Sequence, residues 1–278
     1  MSEADTIART PDGPATVGSL AQDLARLGVE SGMVLMVHSS LSALGWVANG
    51  PDAVVLALEE AVGAAGTLVM PTHSGQLTEP SHWQNPPVPE SWWPIIRAEA
   101  APFDPARTPT RMMGAIVDTF RMGPGVRRSD HPHHSVAAWG RHRDRIVAGH
   151  TIEVGMGEGS PLAHLYALGA WVLLLGVPHA NNTSLHLAEY RADFPGKGME
   201  RQGAPMLVDG ARRWVAFDML AVDSDDFDRI GADFEASTGL VRRGKVGQAD
   251  ALLMPQAPLI DFAVGWMEKN RQAEIERG

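Results

Sequence analysis

The chain has 278 residues, 44% of them hydrophobic, a formal charge of -10 and no cysteine. A chain of this length buries roughly three quarters of its unfolded surface, so one large core is affordable, while the missing thiols exclude a disulfide framework, a thiolate zinc site and any acyl-thiol intermediate. The negative balance argues against general affinity for nucleic acid and biases the chain toward a cationic small molecule or partner.

No stretch reaches the ~18 uncharged apolar residues that span a bilayer, which predicts a cytoplasmic protein with no membrane partner. No linker divides the chain, so residues 1–278 read as a single domain, with residues 1–14 as a flexible tail. In chain order, Val17 to Leu27 predicts an amphipathic helix, with Leu20, Leu24 and Leu27 at helical spacing. Met33 to Val37 is short, wholly apolar and bounded by polar residues, so it predicts a buried strand. A helix beginning at Asp52 and a second apolar strand, Thr67 to Met70, complete a strand, helix, strand unit. Such units make parallel sheets, whose ligands sit at the carboxyl ends of the strands. From Gln76 to Thr110 the chain is rich in Pro and Trp without a lasting period, which predicts a long ordered loop with one short helix near Trp92 to Ala100.

A helix from about Gly114 to Arg121, a strand near Val136 to Trp139, a loop opening a helix over Gly157 to Ala167, and a third buried strand, Trp171 to Val177, follow. Asn181-Asn182-Thr183 offers N-cap chemistry for a helix running to about Ala192. The remainder predicts short strands near Met206 to Val208 and Arg213 to Phe217, an acidic helix from Asp225 to Glu235, and a last helix from about Leu259 to Arg277. The expected class is α/β, with helices flanking a central sheet.

Several segments are equipped for chemistry. On a helix starting near Asn182, Thr183, His186 and Glu189 share one face close to its positive end. A helix start disfavours imidazolium, which suits His186 to accepting a proton, and Glu189 can fix its tautomer. A capped helix with a surface His to Glu contact fits the same spacing. His38 ends the first strand, and the backbone of Ser39, Ser40, Leu41 and Ser42 suits an anion, or else an ordinary strand-end turn. Pro71-Thr72-His73-Ser74 follows the second strand, and the two polar strand ends are expected to sit near each other. The run Arg127, Arg128, Ser129, Asp130, His131, Pro132, His133, His134, Ser135 offers guanidinium and hydroxyl donors for phosphates. As a metal site it is poor, because consecutive histidines rarely converge on one ion. The Gly155-Met156-Gly157-Glu158-Gly159 run lacks the order of a dinucleotide fingerprint.

Taken in order, these segments resemble the aminoglycoside 3-N-acetyltransferases, also called antibiotic N-acetyltransferases. The resemblance rests on Val37-His38-Ser39-Ser40-Leu41, Gly66 to Thr72, Phe103-Asp104-Pro105, Arg128 to Pro132 with Ser135, Gly157 to Leu162, Leu173 to Val177, and Asn182 to Glu189. It implies a mixed central sheet flanked by helices, distinct from the GNAT acetyltransferases, and an acetyl-CoA co-substrate without a metal. It further implies His186 as the base that deprotonates the acceptor amine, Glu189 as its helper, His38 in the active centre and the Ser-rich loop as the coenzyme's seat.

The expected reaction is direct transfer to an aminoglycoside amine, with backbone groups near Ser39 and Ser40, or Thr183, meeting the oxyanion. Arg127 and Arg128 are candidates for coenzyme phosphates, with Thr72, Ser129 and Ser135 beside them, and Arg111 ranks lower. Asp218, Asp223, Asp225, Asp226 and Glu235 are candidates for the acceptor pocket, unless their stretch is a solvated helix face. The protein is expected to act as a monomer or homodimer. A sequestering protein, an acetyltransferase for another amine, and a metal hydrolase using His131, His133 and His134 are the competing readings.

Overall fold

The computed structural model describes residues 3–11 and 13–275. Its first elements are α1 (Glu3–Ala8), α2 (Val17–Leu27), β1 (Val34–Ser39), α3 (Gly50–Val62) and β2 (Thr67–Pro71). After a long loop come α4 (Trp93–Glu99), α5 (Ala115–Arg121), β3 (Arg127–Arg128), β4 (Val136–Gly140), α6 (Arg143–Val147), α7 (Pro161–Ala167) and β5 (Trp171–Leu175). The remainder comprises α8 (Leu185–Arg191), β6 (Met199–Val208), β7 (Ala211–Leu220), α9 (Phe227–Thr238), β8 (Arg242–Val246), β9 (Ala249–Pro255) and α10 (Gln256–Ile275).

Local chemistry explains α2 directly. Thr16 and Ser19 form a reciprocal capping box, Leu20, Leu24 and Leu27 bury one face, and Gly28 ends the helix at φ 102°. The strands assemble into a seven-stranded sheet in the order β3-β4-β2-β1-β5-β9-β8. Its centre is parallel, β1 pairing with both β2 and β5, while β4 and β9 run antiparallel to their inner neighbours. The sheet is therefore mixed. Alternate residues of β1 enter two cores: Leu35 and Val37 pack with α2, α3 and α5, and Val34 and Met36 pack with α6 to α10. Burial on both faces accounts for the wholly apolar run.

The C-terminal strands depart from the sequence reading. β8, Arg-Arg-Gly-Lys-Val, is a charged edge strand that carries no apolar run, and charge at an edge discourages further pairing. It forms because β9 pairs with β5 and offers its free side to β8. The ribbon β6–β7 is ten residues per strand, far longer than the predicted pieces, since its ladder continues through polar residues. The last helix starts at Gln256 rather than Leu259, and Arg277 lies outside the described residues.

The segment read as a tail contains α1, and Trp46 reaches it: Nε1 donates to Glu3 Oε1 at 3.0 Å and the backbone N–H to Thr10 Oγ1 at 2.9 Å. Met1, Ser2 and Asp12 lie outside the described residues. The loop before α5 is fastened to the ribbon. Phe103 N–H donates to Pro205 O at 2.8 Å, and Arg212 Nε donates to Ala100 O at 2.7 Å.

Candidate active site

The carboxyl ends of β1, β2 and β5 lead into His38, His73 and the turn before α8, and chemistry gathers along that edge. In α8, His186 Nδ1 and Glu189 Oε2 are 2.5 Å apart. A carboxylate only accepts, so the proton on this side belongs to Nδ1 and Nε2 keeps its lone pair. His186 is 15% exposed at its side chain and Glu189 1%, so the imidazole faces outward from a buried support. Phe227 packs against the imidazole at 4.9 Å between ring centres.

Glu189 is held from behind. Its Oε1 accepts from Arg271 Nη1 and from Asp223 N–H, each at 2.9 Å. Arg271 in turn forks onto Asp226 through Nε and Nη2, both at 2.8 Å, and lies over Phe194 at 4.7 Å. Thr183 is buried in the turn ahead of α8, where its carbonyl accepts from His186 N–H at 3.1 Å. The expected helix over residues 182–192 is shorter at its start, because Asn182 Oδ1 accepts from Ser184 N–H and holds a preceding turn.

His38 points an unpartnered, buried Nε2 into this region, and burial, with His186 and His179 nearby, lowers its pKa to about 3. His73 is similar: its Nε2 has no partner, and burial beside His186 and His38 lowers it to about 3. Sequence reasoning set His73 beside His38, in the polar turn after the second strand, without giving it a role, and missed His179, which lies near His38. His73 meets His134 edge-on at 5.4 Å between ring centres, and His134 stacks on His131 at 5.3 Å. His131 Nδ1 accepts the N–H of both His133 and His134, and His133 Nε2 donates to Gly203 O. One ring nitrogen of His131 and one of His133 are thus committed to backbone. Among the described residues no group of three or more His, Asp or Glu could hold a metal ion.

A cavity of about 750 Å³ opens beside the edge, lined by Ser39, Ser40, Leu41 and Ser42, by the start of α3, and by residues 112–116. The buried Ser39 Oγ has no partner, which leaves a hydroxyl for a ligand. Ser40 N–H is taken by Leu175 O at 2.9 Å, so it is not available to an oxyanion.

Other coenzyme candidates do not line that cavity. Arg128 spends its donors on Thr72, Ser74, Ser135 and the Thr108 carbonyl, and burial lowers its pKa to about 10. Ser135 Oγ donates to Thr72 O, and Ser129 Oγ pairs with His150 Nδ1 while accepting Val136 N–H. Together they rivet β3 and β4 to the end of β2. Arg127, next to Arg128 and so pointing the other way, pairs with Asp144 of α6, across the sheet from α3 and α5. Arg111, ranked lower in the sequence, immediately precedes the 112–116 wall.

The acidic stretch is likewise largely committed. Asp218 pairs with Arg201 across the ribbon, Asp226 with Arg271, and Glu235 with Arg243. Asp223 Oδ1 accepts Asp225 N–H, and both residues are exposed. Asp226 is thus part of the support behind the dyad rather than a free carboxylate.

A mixed sheet with a histidine–carboxylate pair at the carboxyl ends of its central strands and a ligand-sized cavity alongside is suited to proton transfer on a bound ligand, and the sequence family sets the chain among the α/β acyltransferases. A sequence model described as aminoglycoside 3-N-acetyltransferase matches residues 36–268. The chain belongs to that family. It is 43% identical, over 95% of its length and 96% of the relative's, to the SPbeta prophage-derived aminoglycoside N(3')-acetyltransferase-like protein YokD of Bacillus subtilis. The crystal structure of YokD superposes with a TM-score of 0.93 at 42% identity, covering 96% of this chain and 98% of that one. AAC-IIIb, solved as a binary complex with CoASH, gives a TM-score of 0.83 at 35% identity, covering 93% and 98%. AAC-VIa bound to sisomicin, solved by room-temperature neutron and X-ray diffraction, gives 0.83 at 32% identity, covering 93% and 99%.

Proposed function

We propose that this protein transfers the acetyl group of acetyl-CoA to the 3-amino group of an aminoglycoside, and so confers resistance, with His186 as general base. The observation that carries the reading is the His186–Glu189 contact, which turns the lone pair of Nε2 outward in a member of this family. Relatives solved with CoASH and with sisomicin support the two ligands. His186 Nε2 takes the proton of the acceptor amine as it attacks the thioester carbonyl, and Glu189 stabilises the resulting imidazolium. The C–N bond forms, the C–S bond breaks, and coenzyme A leaves as the thiol.

Ser39 and the loop to Ser42 seat the coenzyme in the adjoining cavity, with Arg111 the nearest cation along the chain for its phosphates. His38 is assigned to the thioester carbonyl, because a neutral imidazole with an unpartnered nitrogen can donate there when protonated on Nε2. Thr183 is the second candidate. Asp223 and Asp225, exposed near Glu189, attract the cationic acceptor. The protein works as one domain, as a monomer or homodimer, in the cytoplasm, without nucleic acid or a membrane; among the described residues no helix is long and apolar enough to cross one.

The test is thiol release from acetyl-CoA across a panel of aminoglycosides, with mass spectrometry of the product. Release that depends on the aminoglycoside, with one acetyl group added at the 3-amine, is expected. Coenzyme binding without acceptor-dependent release across the panel would overturn the acceptor assignment.

A further inference from the structure

We propose that Arg271, from the C-terminal helix, is a positioning residue that sets the proton balance of the catalytic pair, and that Asp226 is its counterweight. The inference rests on the reading of His186 as general base. Glu189 receives three donors on two oxygens: His186 Nδ1–H on Oε2, and Arg271 Nη1–H and Asp223 N–H on Oε1. A buried carboxylate fixed at both oxygens cannot rotate away from the imidazole. Arg271 is itself fixed, by the fork onto Asp226, by a bond to Asp223 O at 3.1 Å and by the Phe194 ring beneath it. A guanidinium is planar and permanently charged, so it serves two carboxylates at once as a lysine cannot.

Charge explains why two carboxylates share one cation. Glu189, Asp226 and Arg271 sum to -1 while His186 is neutral, and to zero once it has taken the substrate proton. The support therefore favours the imidazolium formed during reaction without the full pull of two anions. The other titratable groups facing the pair are Asp223 and the phenol of Tyr190, which burial keeps protonated, on the carboxylate side, and His38, His73 and His134 around the ring. Desolvation holds these three imidazoles neutral, so they leave the balance to Arg271 and Asp226.

Removing either partner therefore shifts the pair in opposite directions. In Arg271→Met, which keeps the stem over Phe194, two unbalanced anions stabilise imidazolium, and the acidic limb of kcat/KM against pH moves up by about one unit. In Asp226→Asn the cation acts on Glu189 alone, and the limb moves down by a similar amount. Arg271→Lys keeps the charge, so its limb stays within about half a unit of the unmodified protein while kcat falls. One acceptor at fixed ionic strength is used throughout, and thermal melts establish which variants fold. Should one neutral variant fail to fold, the sign of the shift in the other decides. Unmoved limbs, or limbs moving the same way, would overturn the proposal. His186→Ala is measured alongside: if it retains turnover, the general-base reading has failed, whereas an inactive His186→Ala with unmoved limbs condemns Arg271 alone.

Discussion

Removing the His186 imidazole takes away the one outward-facing lone pair in the His186–Glu189 pair and leaves its buried supports in place. His186→Ala is expected to lower turnover by about 100-fold to 10,000-fold with coenzyme affinity nearly unchanged, as steady-state kinetics and calorimetry would record. Glu189→Gln can keep its amide oxygen on Nδ1–H only by turning its NH2 toward the Arg271 and Asp223 donors, and it loses the negative charge, yet the His186 lone pair survives, so its defect should be the smaller of the two. A larger defect would mean that Glu189 itself receives the proton. This pair was legible in the sequence because residues three apart on a helix meet. Arg271 was not, being 82 residues from Glu189 with no pattern connecting them.

At the scale of elements, the glycines before α7 acquire a reason. A Cβ on Gly157 would lie 2.3 Å from Tyr190 Cδ1, and one on Gly155 2.2 Å from Tyr190 Oη. Tyr190 adjoins Glu189 on α8, so the bare backbone of this loop is what lets α8 sit at its present height. The run carries glycine for close packing against a ring, not for a pyrophosphate. Gly157→Ala should destabilise the protein by about 1 to 3 kcal/mol through overpacking and should also depress kcat by displacing the helix that carries the pair. A thermal melt and kcat together check this, and an unaltered melting temperature would show that α8 yields without cost. The sequence excluded a dinucleotide loop here but gave no hint of Tyr190, because the contact is between elements.

For the molecule as a whole, the buried histidines predict acid sensitivity. Desolvation first, then the neighbouring imidazoles, lowers His38 and His73 to about 3, and chiefly desolvation lowers His133 and His150 to about 4. Each folded value lies below the unfolded one near 6.5, so the unfolded chain binds more protons in acid. Their contribution is complete above about pH 6.5 and is lost as pH falls through the window down to 3–4, at up to about 1.4 kcal/mol per unit for each group. The melting temperature should therefore fall steeply between pH 6.5 and 4, before most carboxylates protonate. A melting temperature that stays level from pH 7 to 4.5 would contradict this burial.

What the sequence determined by itself is whatever depends on neighbours along the chain. The capped α2, the apolar runs of β1, β2 and β5 and the His186–Glu189 spacing are set by propensity, periodicity and two-sided burial. Only the tertiary structure decided the rest. Arg128, Thr72, Ser129 and Ser135 looked like phosphate ligands because guanidinium and hydroxyl groups suit anions, yet the fold surrounds them with internal acceptors and donors that use them up. Asp226 looked like a free carboxylate until α10 brought Arg271 to it. β8 exists because β9 leaves one side of its ladder open, a property of the sheet and not of the five residues that fill it. Polar side chains satisfy whichever partner the fold delivers first, and sequence order does not name that partner.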